Sequence, residues 1–243
     1  MDLIAAGYSD VGLVRKSNQD SFGISPEFGF YIVADGMGGH AGGDVASRIA
    51  VRTVQADLTT EEATPRKPIE AARLVVAIQH ANQVIYDTGE VNPMWNGMGT
   101  TIVALVAHES DVIIAFVGDS RGYLYRSGCL RQLTEDHTLI NEYVKNGLLT
   151  PQSAEHHPMR HVLHRALGTQ LTVEVDTIQI APQSRDIFLL CSDGLSNKLT
   201  QEEIGAILTG VGKNLDQSAL TLIERAKEKG GEDNITVVLV GYP

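Results

Sequence analysis

Aspartates at the ends of apolar runs are the residues of this chain best suited to chemistry. Asp35 follows such a run in IVADGMGGH, Asp119 in IIAFVGDSRG and Asp193 in FLLCSDGLS, and each has a glycine beside it. Asp233 precedes the apolar run of GGEDNITVVLV, and Asp20 closes the segment RKSNQD. An apolar run of this length is typical of a buried strand, so these carboxylates are expected where strands end and the chain turns.

Carboxylates that meet in one place repel one another unless cations lie between them. Mg²⁺ and Mn²⁺ prefer oxygen ligands, and two such ions about 4 Å apart can share a water and a phosphate oxygen. Asp35 is the candidate bridging ligand, because Gly36 lets the next carbonyl turn toward the same space. Asp193 and Asp233 would complete the ring of ligands together with Asp20, which could act through water.

Arg15, five residues before Asp20, is the candidate partner of an anion. A guanidinium group can hold two phosphate oxygens at once. Taken singly, these features have plainer explanations, since an Asp-Gly pair is usually a turn and an isolated arginine is usually a surface residue. Their recurrence at several strand ends, together with RKSNQD and the glycine-rich DGMGGH, favours a metal site that acts on phosphate.

Composition limits the classes of partner. The chain has 243 residues, a net charge of −11 and a pI near 5.1, which argues against nucleic acid or an anionic membrane. Its two cysteines, Cys129 and Cys191, predict no disulfide framework, which fits a reducing compartment. The segment MDLIAAGYSD does not resemble a signal peptide, and no apolar run approaches the roughly 18 residues of a membrane span. We therefore expect a monomeric, cytoplasmic protein.

Hydrophobic periodicity predicts strands and helices in separate blocks. Helices are predicted over residues 44–58, from Pro68 to about residue 88, and at about 201–208 and 215–229. The short turns HESD, GDSR and RSG predict that the strands between 100 and 133 form an antiparallel meander. The predicted strands lie at residues 3–6, 28–34, 100–107, 112–118, 121–126, 129–133, 173–180, 186–192 and 234–241.

Residues 134–170 differ from the rest because they are rich in histidine and other polar residues. We expect them to form a lid, or flap, over the strand ends, with Thr150 and Pro151 at the start of a short helix. The segregation of helices from strands favours an α+β sandwich of antiparallel sheets over a doubly wound parallel sheet. The whole chain, residues 1–243, is expected to be a single domain.

A series of motifs occurs in order along the chain: RxxNQD at 15–20, DGMGGHAGG at 35–43, GTT at 99–101, GDSR at 118–121, SDGL at 192–195 and EDNITV at 232–237. This series resembles the metal-dependent PPM/PP2C protein serine/threonine phosphatases, particularly their bacterial members. The flap, LTEDHTL…NGLLT…HHPMRHVLHRALG, is similar to the flap of those members. The resemblance covers essentially the whole chain and implies a four-layer α/β/β/α sandwich with metals in a cleft at one edge.

The resemblance implies a role for each acidic position. Asp35 would bridge two tightly bound Mn²⁺ or Mg²⁺ ions. Asp193 and Asp233 would bind the first ion, and the Gly36 carbonyl the second. Asp20 would support the second ion through water.

Asp119, with Asp193, resembles the pair that holds a weaker third ion in bacterial members. Two positions depart from the animal pattern. Gln19 stands where animal members usually carry glutamate, which lowers the local charge. Met37 stands where they carry a histidine proposed as general acid, and the nearby histidine is His40. Bacterial members share the DGMGGH form.

The implied reaction is direct attack of a metal-bridging hydroxide on phosphoserine or phosphothreonine in a phosphorylated protein. Arg15 and the ions would hold the phosphate oxygens, and His40 or a metal-bound water would protonate the leaving group. An inactive relative that binds phosphoproteins or senses metals is the alternative, although loss of ligands would mark it and every acid is present.

Three other chemistries fit the sequence less well. Residues 36–41 match G-x-G-x-x-A, but Asp35 beside the first glycine would repel a pyrophosphate. A cysteine phosphatase needs an arginine six residues after the thiol, and positions 135 and 197 hold Glu and Asn. The histidines of the flap show no paired cysteine or HExxH pattern for zinc, so we expect them to pack in the flap or at the surface.

Overall fold

Two antiparallel sheets form the centre of the computed structural model, which describes residues 3–38, 42–59, 69–155, 157–210 and 214–243. Sheet A contains, in spatial order, β1 (Ile4–Asp10), β11 (Ile235–Gly241), β10 (Ile187–Cys191), β7 (Arg121–Arg126) and β8 (Cys129–Gln132). Sheet B contains, in spatial order, β2 (Asp20–Ser25), β3 (Phe30–Met37), β5 (Ile102–Ala107), β6 (Val112–Val117) and β9 (Asp176–Ile180), and the short β4 (Gly99–Thr100) pairs with the end of β3.

Helices cover the outer face of each sheet. Helices α1 (Gly42–Leu58) and α2 (Ala71–Val91) pack on sheet B, whereas helices α6 (Gln201–Gly210) and α7 (Leu215–Glu228) pack on sheet A. The remaining helices are short and lie near the strand ends: α3 (Leu139–Lys145), α4 (Pro151–Glu155) and α5 (Asp193–Ser196), with a 3₁₀ turn at Pro26–Phe28.

Strands buried on both faces account for the continuous apolar runs in the sequence. On β3, Phe30 and Ile32 pack toward α1 and α2, while Tyr31 and Val33 pack between the two sheets. Alternate residues of a strand point to opposite faces, so a strand between two apolar layers must be apolar throughout. The buried residues accordingly form three clusters, one between the sheets and one under each helical layer. The predicted four-layer α/β/β/α sandwich is confirmed.

The predicted meander is wrong at one turn. β5 pairs with β6 and β7 pairs with β8, as expected, but β6 lies in sheet B and β7 in sheet A. The GDSR turn therefore carries the chain from one sheet to the other instead of closing a hairpin. Gly118 has φ +103, outside the usual range of other residues, and this bend directs Asp119 to the edge between the sheets.

Other differences from the predicted elements are small, apart from short elements that the sequence did not predict. β2 was not predicted, and Asp20, which closes the segment RKSNQD, begins this strand. The one-turn helix α5 was also not predicted. The second helix begins at Ala71, and Pro68, its predicted first residue, lies outside the described residues.

The flap segment is joined to the body at both of its ends. At its start, the His137 amide donates to the Gly118 carbonyl of the body (2.9 Å). Within the flap, Thr138 caps α3 by accepting from the Asn141 amide (3.3 Å) and forms an isolated bridge with Leu163. Leu167 forms a second bridge with Thr100, next to β5. A helix begins at Pro151, as predicted. That this segment acts as a lid stays a prediction.

Two predictions from composition can be compared with the described residues. Cys129 and Cys191 are free thiols, the first exposed and the second buried. None of the helices in the described ranges combines the length and the apolar character that crossing a membrane requires.

The crossover between the sheets predicts a difference between two glycines. A Cβ at Gly118 would lie 2.7 Å from Thr101 Cβ, whereas Gly128, with φ +83 in the β7–β8 turn, has nothing within 4 Å of that position. Gly128→Ala should lower the free energy of unfolding by about 1 kcal/mol, from backbone strain alone. Gly118→Ala should lower it by about 3 kcal/mol, because the steric clash adds to the strain. Urea unfolding measures both, and equal losses would contradict the close approach.

Candidate metal centre

The centre of the site is a pair of neighbouring aspartates on adjacent strands. Asp20 at the start of β2 lies opposite Asp35 near the end of β3 in the antiparallel register. The backbone of Asp35 is held from its other side by Thr101, whose Oγ1 accepts from the Asp35 amide (3.0 Å) and whose amide donates to the Asp35 carbonyl (2.8 Å). The position of Asp35 therefore depends on two strands and on the start of a third.

Gly36, the residue after Asp35, lies where three segments of the chain meet. Its amide donates to the Gln19 carbonyl (3.2 Å), and a Cβ here would lie 2.0 Å from the Gly43 carbonyl oxygen at the start of α1. Only glycine fits this approach. The helix α1 can consequently begin directly beside the carboxylates.

Asp20 is 8% exposed, and only one of its two carboxylate oxygens is hydrogen-bonded. Its Oδ2 accepts hydrogen bonds from the hydroxyls of Ser192 and Thr236, both at 2.7 Å. Its Oδ1 is buried and has no hydrogen-bond partner in the described structure. A buried carboxylate oxygen without a partner is costly, and a cation or a bound water would satisfy it.

Asp233 and Asp193 approach from sheet A. Asp233 precedes β11, and its Oδ2 accepts from the Arg15 guanidinium at 2.7 Å. Asp193 opens α5, and its Oδ2 accepts from the Asn197 amide group at 3.1 Å. Arg15 reaches Asp233 although its side chain is 51% exposed, so the guanidinium acts as a cation at the rim of the site.

Asn234 organises the loop that carries Arg15. Its Oδ1 accepts from the Gln19 amide (2.8 Å), and its Nδ2 donates to the carbonyls of Val11 and Ser17, both at 3.0 Å. The loop between β1 and β2 is thus fixed to the start of β11. Sequence reasoning gave no role to Asn234, Ser192 or Thr236, although all three lie within the motifs EDNITV and SDGL.

A cavity of about 770 Å³ opens beside these residues, and Asp20 is not among the residues that line it. A second cavity of about 370 Å³ adjoins it under the flap, and Asp119, Asp193 and His161 line both. His161 was expected to pack in the flap or at the surface, so its place at the cavity was missed. The candidate residues that line the larger cavity are Arg15, Asp35, Gly36, Asp119, Asp193 and Asp233. His40 lies outside the described residues.

Burial and mutual repulsion raise the pKa of four carboxyl groups, those of Asp20, Asp35, Asp119 and Asp193. Burial is the main cause for Asp35, whose pKa lies well above the usual value, and the charges of Asp20 and Asp193 add to it. Burial likewise raises the pKa of Asp20 to about 6 and that of Asp119 to about 7. The pKa of Asp193 is also raised, by burial and by Asp233. Without added cations, the site cannot hold all of its carboxylates ionised near neutral pH.

The donor set fits hard divalent ions. It consists of carboxylate and carbonyl oxygens, which Mg²⁺ and Mn²⁺ prefer, and it includes the unpartnered Oδ1 of Asp20. Within the described ranges, no three His, Cys, Asp or Glu side chains are grouped so that they could hold an ion as they stand.

The raised pKa of Asp119 predicts that the free energy of unfolding of the metal-free protein depends on pH. Its ionisation opposes folding, so the loss of stability is absent below the ordinary carboxyl pKa of about 4 and grows as the pH rises through about 7. Asp119→Asn cannot ionise and should gain stability over the parent, by about 1 kcal/mol more at about pH 8 than at about pH 5. Urea unfolding in EDTA measures this.

The matched control is Asp87→Asn, at an exposed carboxylate hydrogen-bonded to Gln83 on α2. Its difference from the parent should vary by less than about 0.5 kcal/mol between the two pH values. A gain for Asp119→Asn that does not grow with pH would contradict the assigned electrostatics.

Comparison with known proteins gives a consistent result. The family model described as protein phosphatase 2C matches residues 14–230. A Listeria monocytogenes protein named serine/threonine phosphatase stp is 44% identical over 244 residues, covering 96% of this chain and 93% of that protein.

Solved structures agree with the sequence match. The Mycobacterium tuberculosis serine/threonine phosphatase PstP/Ppp superposes with a TM-score of 0.88 at 37% identity, covering 99% of this chain and 98% of that one. The catalytic domain of PstP in complex with two manganese ions gives a TM-score of 0.84 at 37% identity, covering 98% and 97%. The chain therefore belongs to the protein phosphatase 2C family and is a metal-dependent protein serine/threonine phosphatase.

Proposed function

We propose that the carboxylates around the larger cavity hold two Mn²⁺ or Mg²⁺ ions and that phosphoserine or phosphothreonine of a substrate protein is hydrolysed there without a phosphoenzyme. The observation that carries this proposal is the buried, unpartnered Oδ1 of Asp20, which lies opposite Asp35 at the edge of the larger cavity's carboxylates. Burial raises the pKa of Asp20, Asp35, Asp119 and Asp193. When bound, such ions supply Lewis acidity that ionises water near neutral pH and offsets phosphate charge.

The ligand roles in this proposal are those that the family resemblance implies. Asp35 would contact both ions, and Asp193 and Asp233 would hold the first. The Gly36 carbonyl and, through water, Asp20 would serve the second. Serine and threonine hydroxyls already hold Oδ2 of Asp20, so Oδ1 is the atom left to act.

Asp119 would hold a weaker third ion together with Asp193. Both residues line the larger cavity and the smaller cavity under the flap. A ligand at their shared edge would be more open to water than the two inner positions. Asp119 reaches this position from the turn that crosses from sheet B to sheet A.

Arg15 has two successive partners in this proposal. Its guanidinium neutralises Asp233 at 2.7 Å in the structure described here. Once a cation takes that carboxylate, the guanidinium is free to turn into the cavity and hold two phosphate oxygens. Exposure of the side chain permits this movement at little cost.

The proton for the leaving alkoxide has two sources in the proposal, His40 and water. His40 enters on the sequence alone. We also propose that the enzyme is a monomeric, cytoplasmic, single-domain protein without nucleic acid or membrane partners, which rests on the −11 charge and the composition.

Asp35→Asn tests the metal assignment. The substitution keeps the shape of the side chain but removes the charge shared by both ions, so kcat on a phosphopeptide should fall by about a hundredfold or more. Titration calorimetry should show loss of tight Mn²⁺ binding, and EDTA should abolish the parent activity until Mn²⁺ or Mg²⁺ is restored. The surface variant Asp87→Asn should keep both properties. Tight Mn²⁺ binding and full turnover in Asp35→Asn would sink the proposal.

Arg15→Ala tests the phosphate contact. Loss of a charge-assisted hydrogen bond should raise KM for a phosphopeptide by about tenfold, with a smaller change in kcat. Arg131→Ala, which removes an exposed arginine from β8, is the control and should leave KM unchanged. An unchanged KM in Arg15→Ala would show that the guanidinium serves only Asp233.

A further inference from the structure

His137 is a buried imidazole that the proposed chemistry does not use. It lies at the start of the flap segment, its side chain is 2% exposed, and its ring stacks on Phe116 of β6 with centroids 5.2 Å apart. It lines neither of the two cavities. A histidine so placed needs a reason beyond packing, because burying an imidazole is costly and, in the described structure, its Nε2 has no hydrogen-bond partner.

The hydrogen bonds of His137 define its protonation. The Gly118 amide donates to Nδ1 at 3.2 Å, so Nδ1 carries no proton and the ring proton is on Nε2. Nε2 faces Asp176 Oδ2 at 3.5 Å, and Asp176 also accepts from the Arg165 guanidinium at 2.8 Å. Burial, helped by the charge of Arg165, lowers the pKa of His137. In the neutral ring, Nδ1 is therefore the atom that accepts the hydrogen bond from the Gly118 amide.

The backbone of His137 connects the same turn to the far end of the flap. Its amide donates to the Gly118 carbonyl (2.9 Å), so both polar groups of Gly118 are held by this one residue. Its carbonyl accepts from the amides of His164 (2.8 Å) and Arg165 (3.4 Å). One residue thus joins the crossover turn to the beginning and the end of the flap segment.

Asp119 depends on its neighbours for its position. Gly118 has no side chain and is held by His137, while Ser120 Oγ is 2.7 Å from Thr101 Oγ1. Thr101 in turn holds the backbone of Asp35. Asp119 is therefore placed between two fixed points, one of which is the base of the flap.

We propose that His137 is a positioning residue that fixes the Gly118–Asp119 turn to the base of the flap, so that the Asp119 carboxylate stays at the shared edge of the two cavities. The inference rests on the proposed function, in which Asp119 holds the weakest ion. It follows that disturbing the flap base should weaken that ion selectively, while the two inner ions remain.

Two substitutions at this position separate the hydrogen bond from the packing. His137→Asn carries an amide oxygen at the place of Nδ1 and can still accept from Gly118. His137→Phe keeps a ring against Phe116 but leaves the buried Gly118 amide without an acceptor. If His137→Phe does not fold, His137→Gln replaces it in the comparison with His137→Asn. The amide oxygen of glutamine lies one bond farther from the backbone than Nδ1, so it is misplaced for accepting from the Gly118 amide.

Asn82→Ala is the matched control. Asn82 on α2 is buried, and its Oδ1 accepts from the Gly168 amide at 2.8 Å, near the end of the flap segment. The variant removes the same kind of bond from a buried glycine amide without touching Gly118. It also removes the bonds that Asn82 Nδ2 donates to the carbonyls of Gln170 (3.0 Å) and Leu171 (3.1 Å), so it is a more severe test of the flap end. It separates a general loosening of the flap end from the specific contact.

The first measurement is hydrogen exchange of the Gly118 amide in the metal-free protein, which does not depend on activity. His137→Phe should speed exchange by about tenfold or more, while His137→Asn and Asn82→Ala should stay within about threefold of the parent. The second is a Mn²⁺ titration of phosphopeptide turnover and of binding heat. His137→Phe should raise the Mn²⁺ concentration for half-maximal kcat by about tenfold, with KM for the phosphopeptide changed less than about threefold.

Each outcome decides the proposal. A folded His137→Phe with parental exchange at Gly118 and a parental Mn²⁺ requirement overturns it, as does an equal shift in Asn82→Ala. Loss of the two tight ions in His137→Phe also overturns it, because the effect would then be general. If the parent itself shows no Mn²⁺-dependent turnover, the proposed function fails, whereas the exchange result still tests the contact between His137 and Gly118.

Discussion

Repulsion between buried carboxylates is the constraint on which the rest of the site depends. Asp20 and Asp35 are opposite each other on adjacent strands, and sheet A contributes Asp193 and Asp233 from the facing edge. Burial and the neighbouring charges raise the pKa values of Asp20, Asp35 and Asp193, which opposes their ionisation. A fold that gathers these groups loses stability by doing so. Divalent cations would remove that penalty, and their positive charge would also attract the oxygens of a phosphate substrate.

The supports of these aspartates are mostly neutral. Hydroxyls of Ser192 and Thr236 hold Asp20, Thr101 holds the backbone of Asp35, and the side chain of Asn197 holds Asp193. Neutral donors fix geometry without cancelling charge. The exception is Arg15, which pairs with Asp233 from an exposed position where it can be exchanged. The site is thus oriented by the protein but left short of positive charge, as a site for exchangeable cations and an anionic substrate requires.

The passage of the chain between the sheets links this site to the flap. Because β6 and β7 lie in different sheets, the turn between them stands at the edge where the carboxylates meet. Gly118 can take the required backbone angle, but it has no side chain with which to anchor itself. His137 supplies the missing contacts from the start of the flap, through its ring and its backbone. The turn that carries Asp119 and the base of the flap are therefore parts of one hydrogen-bonded unit.

The sequence by itself determined the layered α+β architecture and the candidate ligands, since apolar runs and glycine-flanked acids are local patterns that survive without knowledge of the fold. It could not determine that GDSR crosses between sheets, because a turn of that length looks the same in a hairpin. Nor could it reveal Asp20 as the register partner of Asp35, the Arg15–Asp233 pair, or His161 at the cavity and His137 at the flap base. Those contacts join residues distant along the chain, and only the packing of two sheets and a flap brings them together.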